Sequence, residues 1–321
     1  MTEAKRNATG GFDQWLLNAL VSRPLNGTMS RCRYKALRGV RRLRLAFADP
    51  EVTLSIGESN LRLPLSHELP FYRLAFPQYA ENLANICFHV GQKYQGFTMI
   101  DVGANVGDSA VVARLRSRHP ILCLEGEPRF FQLLAENTRT MGDIECEETF
   151  VGAPGDNASG IRRERGNATV QLGSCPGEAA MCTLSEALRR HPGFANSRLI
   201  KLDAEGFDCR IITAEAELLR RCKPVLFFEY YPHACQKAGY DAFTVFPLLR
   251  SLGYATLLVY QNCGPYFMSL NLDQLCSLQD LHHFLVSREG YCDVATFHKE
   301  DRDLAGAIRA SEGAGKAGAV R

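Results

Sequence analysis

The sequence predicts an α/β fold built on a largely parallel sheet with helices on both faces. Two observations carry this. From residue 97 onward, short apolar runs alternate with stretches of helical spacing, and repeated βα units need a parallel sheet covered on both sides. An early strand-to-helix passage is the turn Gly103-Ala104-Asn105-Val106-Gly107, whose glycines let the backbone come close to a ligand. The composition agrees: 46% of the 321 residues are hydrophobic and 22% charged. That suits a globular chain long enough for one large domain with additions.

Residues 1–50 read as a basic N-terminal arm and helix, in which Leu37, Val40, Leu43 and Leu45 are interleaved with arginines. Residues 51–96 read as a hairpin followed by a helical cover. Val52, Leu54 and Ile56, then Leu61, Leu63 and Leu65, alternate on either side of Gly57-Glu58-Ser59-Asn60, the pattern of a β-hairpin. Tyr79, Leu83, Ile86 and Val90 follow at helical spacing. Residues 97–300 hold the βα repeats. Strands are expected over 97–102, 121–125, 144–151, 199–203, 225–230, 254–260 and 294–297. Helices are expected over 106–118, 128–140, 183–191, 207–221, 242–252 and 273–287, Pro128 opening the second of them. The polar, Gly-rich segment 152–181 shows no period and is long for a βα connection. Residues 301–321 are expected to be a disordered tail, since ten of the last 17 are Ala or Gly.

Charge is unevenly placed. Residues 1–45 hold ten basic and two acidic residues, whereas the remainder holds 27 basic and 33 acidic. The arm is therefore open to peripheral membrane or acidic-partner contact, while a net charge of only +2 excludes strong polyanion binding by the whole molecule. None of the 12 cysteines forms a CxxC pair, and the nearest neighbours, Cys175 and Cys182, are seven apart, so zinc spacing is absent. No basic leader with an apolar core and cleavage site is evident, and no apolar run approaches the length of a membrane span. Cysteines in apolar runs, such as Cys123, suit a reducing setting, and a cytoplasmic location is expected. Oligomeric state is left open.

The turn after the strand Met99-Ile100-Asp101-Val102 discriminates between cofactors. A dinucleotide site uses G-x-G-x-x-G, whose glycines and helix N-terminus meet a pyrophosphate. This turn lacks the middle glycine, and Asp101 at the strand end is a poor neighbour for phosphate. It is a good neighbour for the cationic end of S-adenosylmethionine, which carries an ammonium, a carboxylate and a sulfonium. Loop amides would meet that carboxylate. Glu125 ends the next strand, 22 residues after Gly103, where a carboxylate can accept both hydroxyls of an adenosine ribose. Asp101, Gly103, Ala104, Asn105, Gly107, Asp108 and Glu125 are the expected donor-binding residues. Glu127 is expected to cap the helix that Pro128 begins.

Asp101–Asp108, Glu125-Gly126-Glu127-Pro128 and Lys201-Leu202-Asp203-Ala204-Glu205-Gly206 together resemble the FkbM family of methyltransferases. The family's motifs run D-V-G-A-N-x-G, E-P-x-P and K-x-D-x-E-G, in that order, and the resemblance covers about residues 65–300. It implies a class I methyltransferase fold, a Rossmann-like seven-stranded sheet of order 3-2-1-4-5-7-6 with an antiparallel last strand. Here an N-terminal helical and hairpin extension precedes it. It also implies S-adenosylmethionine as donor and a hydroxyl acceptor on a sugar, glycan or polyketide-type natural product. The chain departs from the family in three places: Gly126 stands for the usual proline, Ser185 for an acid after Thr183-Leu184, and Phe207-Asp208 for Ala-Glu.

Methyl transfer from a sulfonium is an in-line displacement in which the protein's main work is alignment. An alcohol acceptor is helped by a nearby base. Asp203, at the end of the fourth expected strand, and His233, just past the fifth, are the expected base candidates. Lys201 shares a strand face with Asp203. Glu205 and Glu229 are expected to touch the acceptor. No metal is expected, because carboxylates at strand ends belong to such a fold in any case. Two other activities fit the same fold. One is N-methylation or nucleic-acid methylation, and nucleic acid is disfavoured because no Asn/Asp-Pro-Pro-aromatic string follows the fourth strand. The other is non-catalytic nucleotide or membrane binding, against which Asp101, Gly103, Gly107, Glu125 and Asp203 argue.

Overall fold

The computed structural model describes residues 3–22, 28–164, 167–172 and 179–314. The chain divides into two compact units: Met1–Pro77 with Arg163–Thr169, and Gln78–Arg162 with Val170–Arg321.

The first unit contains α1 (Glu3–Val21), α2 (Thr28–Phe47), the strands β1 (Glu51–Ile56) and β2 (Ser59–Pro64), and the short helix α3 (Leu69–Ala75). The expected hairpin forms, pairing Glu51 with Pro64 through Ile56 with Ser59. Val52, Ile56, Leu61 and Leu63 are buried, as the alternation requires. Residues 1–50, expected as an arm and one helix, hold two helices, the first of which buries Leu16, Leu17 and Leu20. Two of the basic residues are structural. Arg41 is buried and donates to the carbonyls of Leu65 at 2.9 Å and Ser66 at 2.7 Å. Arg44 grips the buried Asp13 through two hydrogen bonds.

The second unit opens with α4 (Glu81–Lys93), so the boundary falls at residue 77 rather than at 50 or 96. Then come β3 (Met99–Val102), α5 (Asp108–Ala113), β4 (Ile121–Glu125), α6 (Pro128–Thr138) and β5 (Ile144–Glu148). The segment without period proves to hold β6 (Asn157–Glu164), β7 (Asn167–Leu172) and β8 (Ala179–Ala180), a separate sheet of order β7-β6-β8, of which Arg163–Thr169 is assigned to the first unit. Next are α7 (Leu184–Arg190), β9 (Leu199–Leu202), α8 (Asp208–Ala214), α9 (Ala216–Cys222), β10 (Val225–Tyr230) and α10 (Pro232–Lys237). The chain continues with α11 (Val245–Ser251), β11 (Tyr254–Gln261), β12 (Tyr266–Asn271), α12 (Leu275–Arg288), β13 (Cys292–His298) and α13 (Arg302–Ala314).

The main sheet has eight strands in the order β12-β11-β13-β10-β9-β3-β4-β5, one more than expected. Strands β5, β4, β3, β9 and β10 are parallel, while β13 runs antiparallel to β10 and to β11. The additional strand, β12, pairs antiparallel with β11 at the edge. Every residue of β3, β4 and β9 is buried, because helices lie on both faces. Ile100, Val102, Ile200, Leu202 and Phe228 join the core under α7, α8, α11 and α12. Met99, Cys123, Leu199, Phe227 and Phe297 join the core under α4, α5 and α13. The expected disordered tail is thus corrected for residues 302–314: they form α13, which buries Leu304, Ala305 and Ile308. Ala is the strongest helix former, so composition alone misreads this segment. Residues 315–321 lie outside the described residues.

The strand order places a crevice. From β3 the chain builds outward through β4 to β5, then returns to β9 beside β3 and builds the other way. In an open parallel sheet such a switch point leaves a crevice beyond the carboxyl ends of the two strands. Gly103 follows β3, and Asp203 follows β9.

Candidate active site

Gly103 is where the two halves of the sheet part, and it is pressed against β9. Its φ is +72°, and a Cβ placed on it would stand 2.0 Å from the Asp203 carbonyl oxygen, so only glycine is tolerated without moving a strand. The Gly103 and Ala104 amides both donate to the Leu124 carbonyl, at 2.9 and 3.2 Å, and Gly107 donates to the Ala104 carbonyl at 2.8 Å. Asn105 takes a left-handed φ of 48° and its amide donates to Glu125 Oε2 at 2.8 Å. The expected meeting of loop amides with the donor carboxylate is corrected for these four, which donate within the protein. Gly107, at φ +90°, leads into α5, whose first residue is Asp108.

Glu125 holds this loop. Its Oε1 accepts from the Glu127 amide at 2.8 Å while Oε2 takes Asn105. A carboxylate offers about four acceptor sites, so these two amides leave about two unused. Burial pushes the Glu125 carboxyl up to about 7, against the two amides that favour its charged form. Glu127 caps α6 as expected, accepting from the Phe130 amide at 2.8 Å. Gly126 has a packing reason. A side chain there would overlap the ring of Phe150, with a Cβ only 2.2 Å from Cδ1.

Asp101, expected to attract the cationic end of the donor, is enclosed by the protein instead. Asp101 has no exposed surface. Its Oδ2 accepts from the Ser109 hydroxyl and its Oδ1 from Lys201 Nζ at 3.0 Å. Lys201 Nζ also lies 3.4 Å from the Gly103 carbonyl and 3.6 Å from Asp203 Oδ2. Burial alone would lower the lysine, but Asp101 and Asp203 outweigh it and raise it further. The lysine is therefore a fixed cation that ties the ends of β3 and β9 together. Ser109 belongs to this network and was missed; only its position eight residues past Asp101 hints at it.

A row of carboxylates runs from this point across the sheet. Asp203 follows β9 and is half-exposed, Glu229 lies in β10, and Asp293 in β13 stands directly opposite Glu229 in the antiparallel register. Burial first, then Asp203, Asp208, Glu205 and Asp293, raise Glu229 well above the ordinary carboxylate range. Burial and then Asp203 push Asp293 up to about 7, with a hydrogen bond from Asn82 Nδ2 acting the other way. Tyr79 meets the same row. Burial raises its phenol, and the charges of Asp108, Asp203 and Asp293 add to that. Glu205 sits at a left-handed φ of 50° in the turn after β9. It does not cap the next helix. The buried Asp208 ties that turn, accepting from the Ala204 amide at 3.2 Å and the Gly206 amide at 3.3 Å. His233 stands apart from Lys201 in its contacts: its Nε2 is 3.6 Å from Glu289 at the end of α12.

These raised acids have a consequence for stability. In an unfolded chain an aspartate titrates near 4, whereas Asp208 and Asp293 are held at about 7 in the fold. The folded chain keeps protons that the unfolded chain has released, so stability falls as pH rises from about 4 to about 7. Asp293→Asn removes one such group. Thermal melts from pH 5 to 8 are expected to show a shallower decline for the variant and a gain of about 1–3 kcal/mol over the parent at the alkaline end. Parallel curves would mean that Asp293 titrates as an ordinary aspartate.

The residues present fit S-adenosylmethionine. The turn is closed against a strand rather than opened as a phosphate nest, an acid ends β4, and a fixed cation and a row of carboxylates lie at the ends of β9, β10 and β13. Residues 101–256 match the methyltransferase FkbM domain, which begins at Asp101 and includes Glu125, Lys201, Asp203 and Glu229. No curated protein matches the chain. Among solved structures, the chain is similar to the methyltransferase FkbM from Methylobacillus flagellatus KT, at 13% identity over 81% of this chain and 60% of that one, with a TM-score of 0.39. It is also similar to precorrin-6y C5,15-methyltransferase from Geobacter metallireducens GS-15, at 13% identity over 68% and 85% of the two chains, with a TM-score of 0.35. A third is TYW2 of M. jannaschii in complex with AdoMet, at 8% identity over 78% and 87%, with a TM-score of 0.37. Scores this low carry no argument of their own. The chain carries the methyltransferase FkbM domain over residues 101–256, and it is an S-adenosylmethionine-dependent methyltransferase.

Proposed function

We propose that the chain methylates a hydroxyl of a sugar, glycan or polyketide-type natural product. The observation that carries this reading is the row Asp203, Glu229 and Asp293 on three neighbouring strands. Neighbouring hydroxyls present donors along a line, and a line of carboxyls matches them. An oxygen nucleophile also needs a base, and the row provides one.

In this reading the turn 103–107 and Glu125 hold the donor. S-adenosylmethionine held there would supply an activated sulfonium methyl, with S-adenosylhomocysteine as the leaving group. Asp203 takes the hydroxyl proton and Lys201 fixes its position. Glu229 and Glu205 orient the acceptor, and His233 is the second candidate base.

The test measures S-adenosylhomocysteine release over a panel of glycosides, polyketide alcohols and matched amines. Asp203→Asn is expected to lower kcat by about 10²–10⁴-fold while donor affinity stays within about twofold. Turnover that prefers the amines, or an Asp203→Asn variant with full kcat, would remove this reading. His233→Ala separates the two bases, since only the true base leaves a changed pH–rate profile.

A further inference from the structure

Helix α2 presents three faces. Leu37, Arg41 and Arg44 turn inward to the first unit. Cys32, Ala36, Val40, Leu43 and Phe47 recur every three or four residues, so they share one stripe. All of them are exposed, Leu43 to 64% and Phe47 to 82%. Arg31, Lys35, Arg38 and Arg42 form the adjoining stripe, also exposed. The 20 residues of α2 include seven basic and no acidic residue. On α1, Phe12 and Trp15 are about half exposed and stand with ring centroids 5.8 Å apart.

An exposed apolar stripe beside a basic one has few suitable occupants. Nucleic acid would meet the arginines and leave Leu43 and Phe47 in water. A second copy would bring basic stripe against basic stripe. A bilayer with anionic headgroups satisfies both: acyl chains receive the apolar side chains while headgroups meet the guanidinium groups. Arginine stems also lie along apolar surface with their heads in the polar layer. Among the described residues no helix is long and apolar enough to cross a membrane, so α2 would lie in the plane of the surface. We propose that α2 docks the enzyme on an anionic lipid surface, with Val40, Leu43 and Phe47 entering the acyl boundary and Arg31, Lys35, Arg38 and Arg42 holding the headgroups.

The experiment uses the full chain and its one tryptophan, Trp15. Vesicles of phosphatidylcholine alone and of equimolar phosphatidylcholine and phosphatidylglycerol are titrated, with sedimentation and Trp15 fluorescence as readouts. Binding to the anionic vesicles is expected to be at least about tenfold tighter, and to blue-shift Trp15 if α1 follows α2 to the surface. Leu43→Glu with Phe47→Glu is expected to weaken binding by at least about tenfold, as is Arg38→Glu with Arg42→Glu. All four residues are exposed, and unchanged helical circular dichroism and thermal unfolding of these variants report an intact fold, independently of donor and acceptor. Three outcomes would overturn the proposal. One is no binding to either vesicle. Another is binding that needs the arginines but is indifferent to Leu43 and Phe47, which is charge attraction alone. The third is binding to polyglutamate in place of vesicles, or a dimer that Phe47→Glu dissociates, which would assign the face to an acidic protein or to a second copy.

Discussion

Gly103→Ala is expected to reduce S-adenosylmethionine affinity by at least about 100-fold, equivalent to 2.7 kcal/mol or more. The added Cβ would stand 2.0 Å from the Asp203 carbonyl oxygen and 2.9 Å from its carbon. Both are backbone atoms, so no side chain can swing away. Relief requires β3 and β9 to part at the point where the Gly103 and Ala104 amides hold the Leu124 carbonyl. A left-handed φ costs an L-residue a further 1–2 kcal/mol or so. Gly142→Ala is the matched control: its φ is +60°, but nothing lies within 4 Å of the added Cβ. Calorimetric titration with S-adenosylmethionine and thermal melts of both variants separate the causes. If Gly103→Ala binds the donor as well as Gly142→Ala does, the close approach of the two strands is not part of the donor site.

Lys201→Met is the second large effect. Asp101 is wholly buried, and the lysine at 3.0 Å is the cation against it. Removing one partner of a buried ion pair leaves an uncompensated charge and costs about 3–5 kcal/mol. Ser109 still donates to Asp101, which places the expected loss toward the lower end. Neutralising the acid as well should restore most of it, because Asp101→Asn with Lys201→Met leaves no buried charge to compensate. Denaturant unfolding of the two single variants and the double variant measures this. A double variant no more stable than Lys201→Met would show that Asp101 does not depend on the lysine for its charge. Activity is expected to stay low in the double variant, since Lys201 no longer holds Asp203.

The elements most legible in the sequence were those with a local physical signature. The hairpin of β1 and β2 shows a clean alternation around Gly57. Helix α6 shows its start in Glu127 and Pro128, and both sit where the cap requires. Other elements carried weaker signals. Strand β12 is a half-buried edge strand, so its alternation is faint. Helix α1 hid among polar and small residues, and α13 hid behind an Ala- and Gly-rich composition. Strands β6 to β8 lie in a polar stretch with no hydrophobic period to reveal them.

The same division runs through the site. The sequence by itself determined the glycine turn after β3, its lack of the middle glycine, the acid that ends β4, and the order of motifs that marks the domain. Each motif rests on residues a few positions apart, whose geometry is set by local backbone preference, and their order is read along the chain. The tertiary structure alone decided which distant residues meet. Asp101 and Lys201 are 100 positions apart, and Glu229 faces Asp293 only because β13 enters the sheet antiparallel beside β10. A shift of that register by one residue would turn Asp293 to the other face of the sheet. Packing of the two cores sets the register, and no local spacing records it. The turn at Gly103 belongs to both levels: its glycine is visible in the sequence, and the strand it must touch is visible only in the fold.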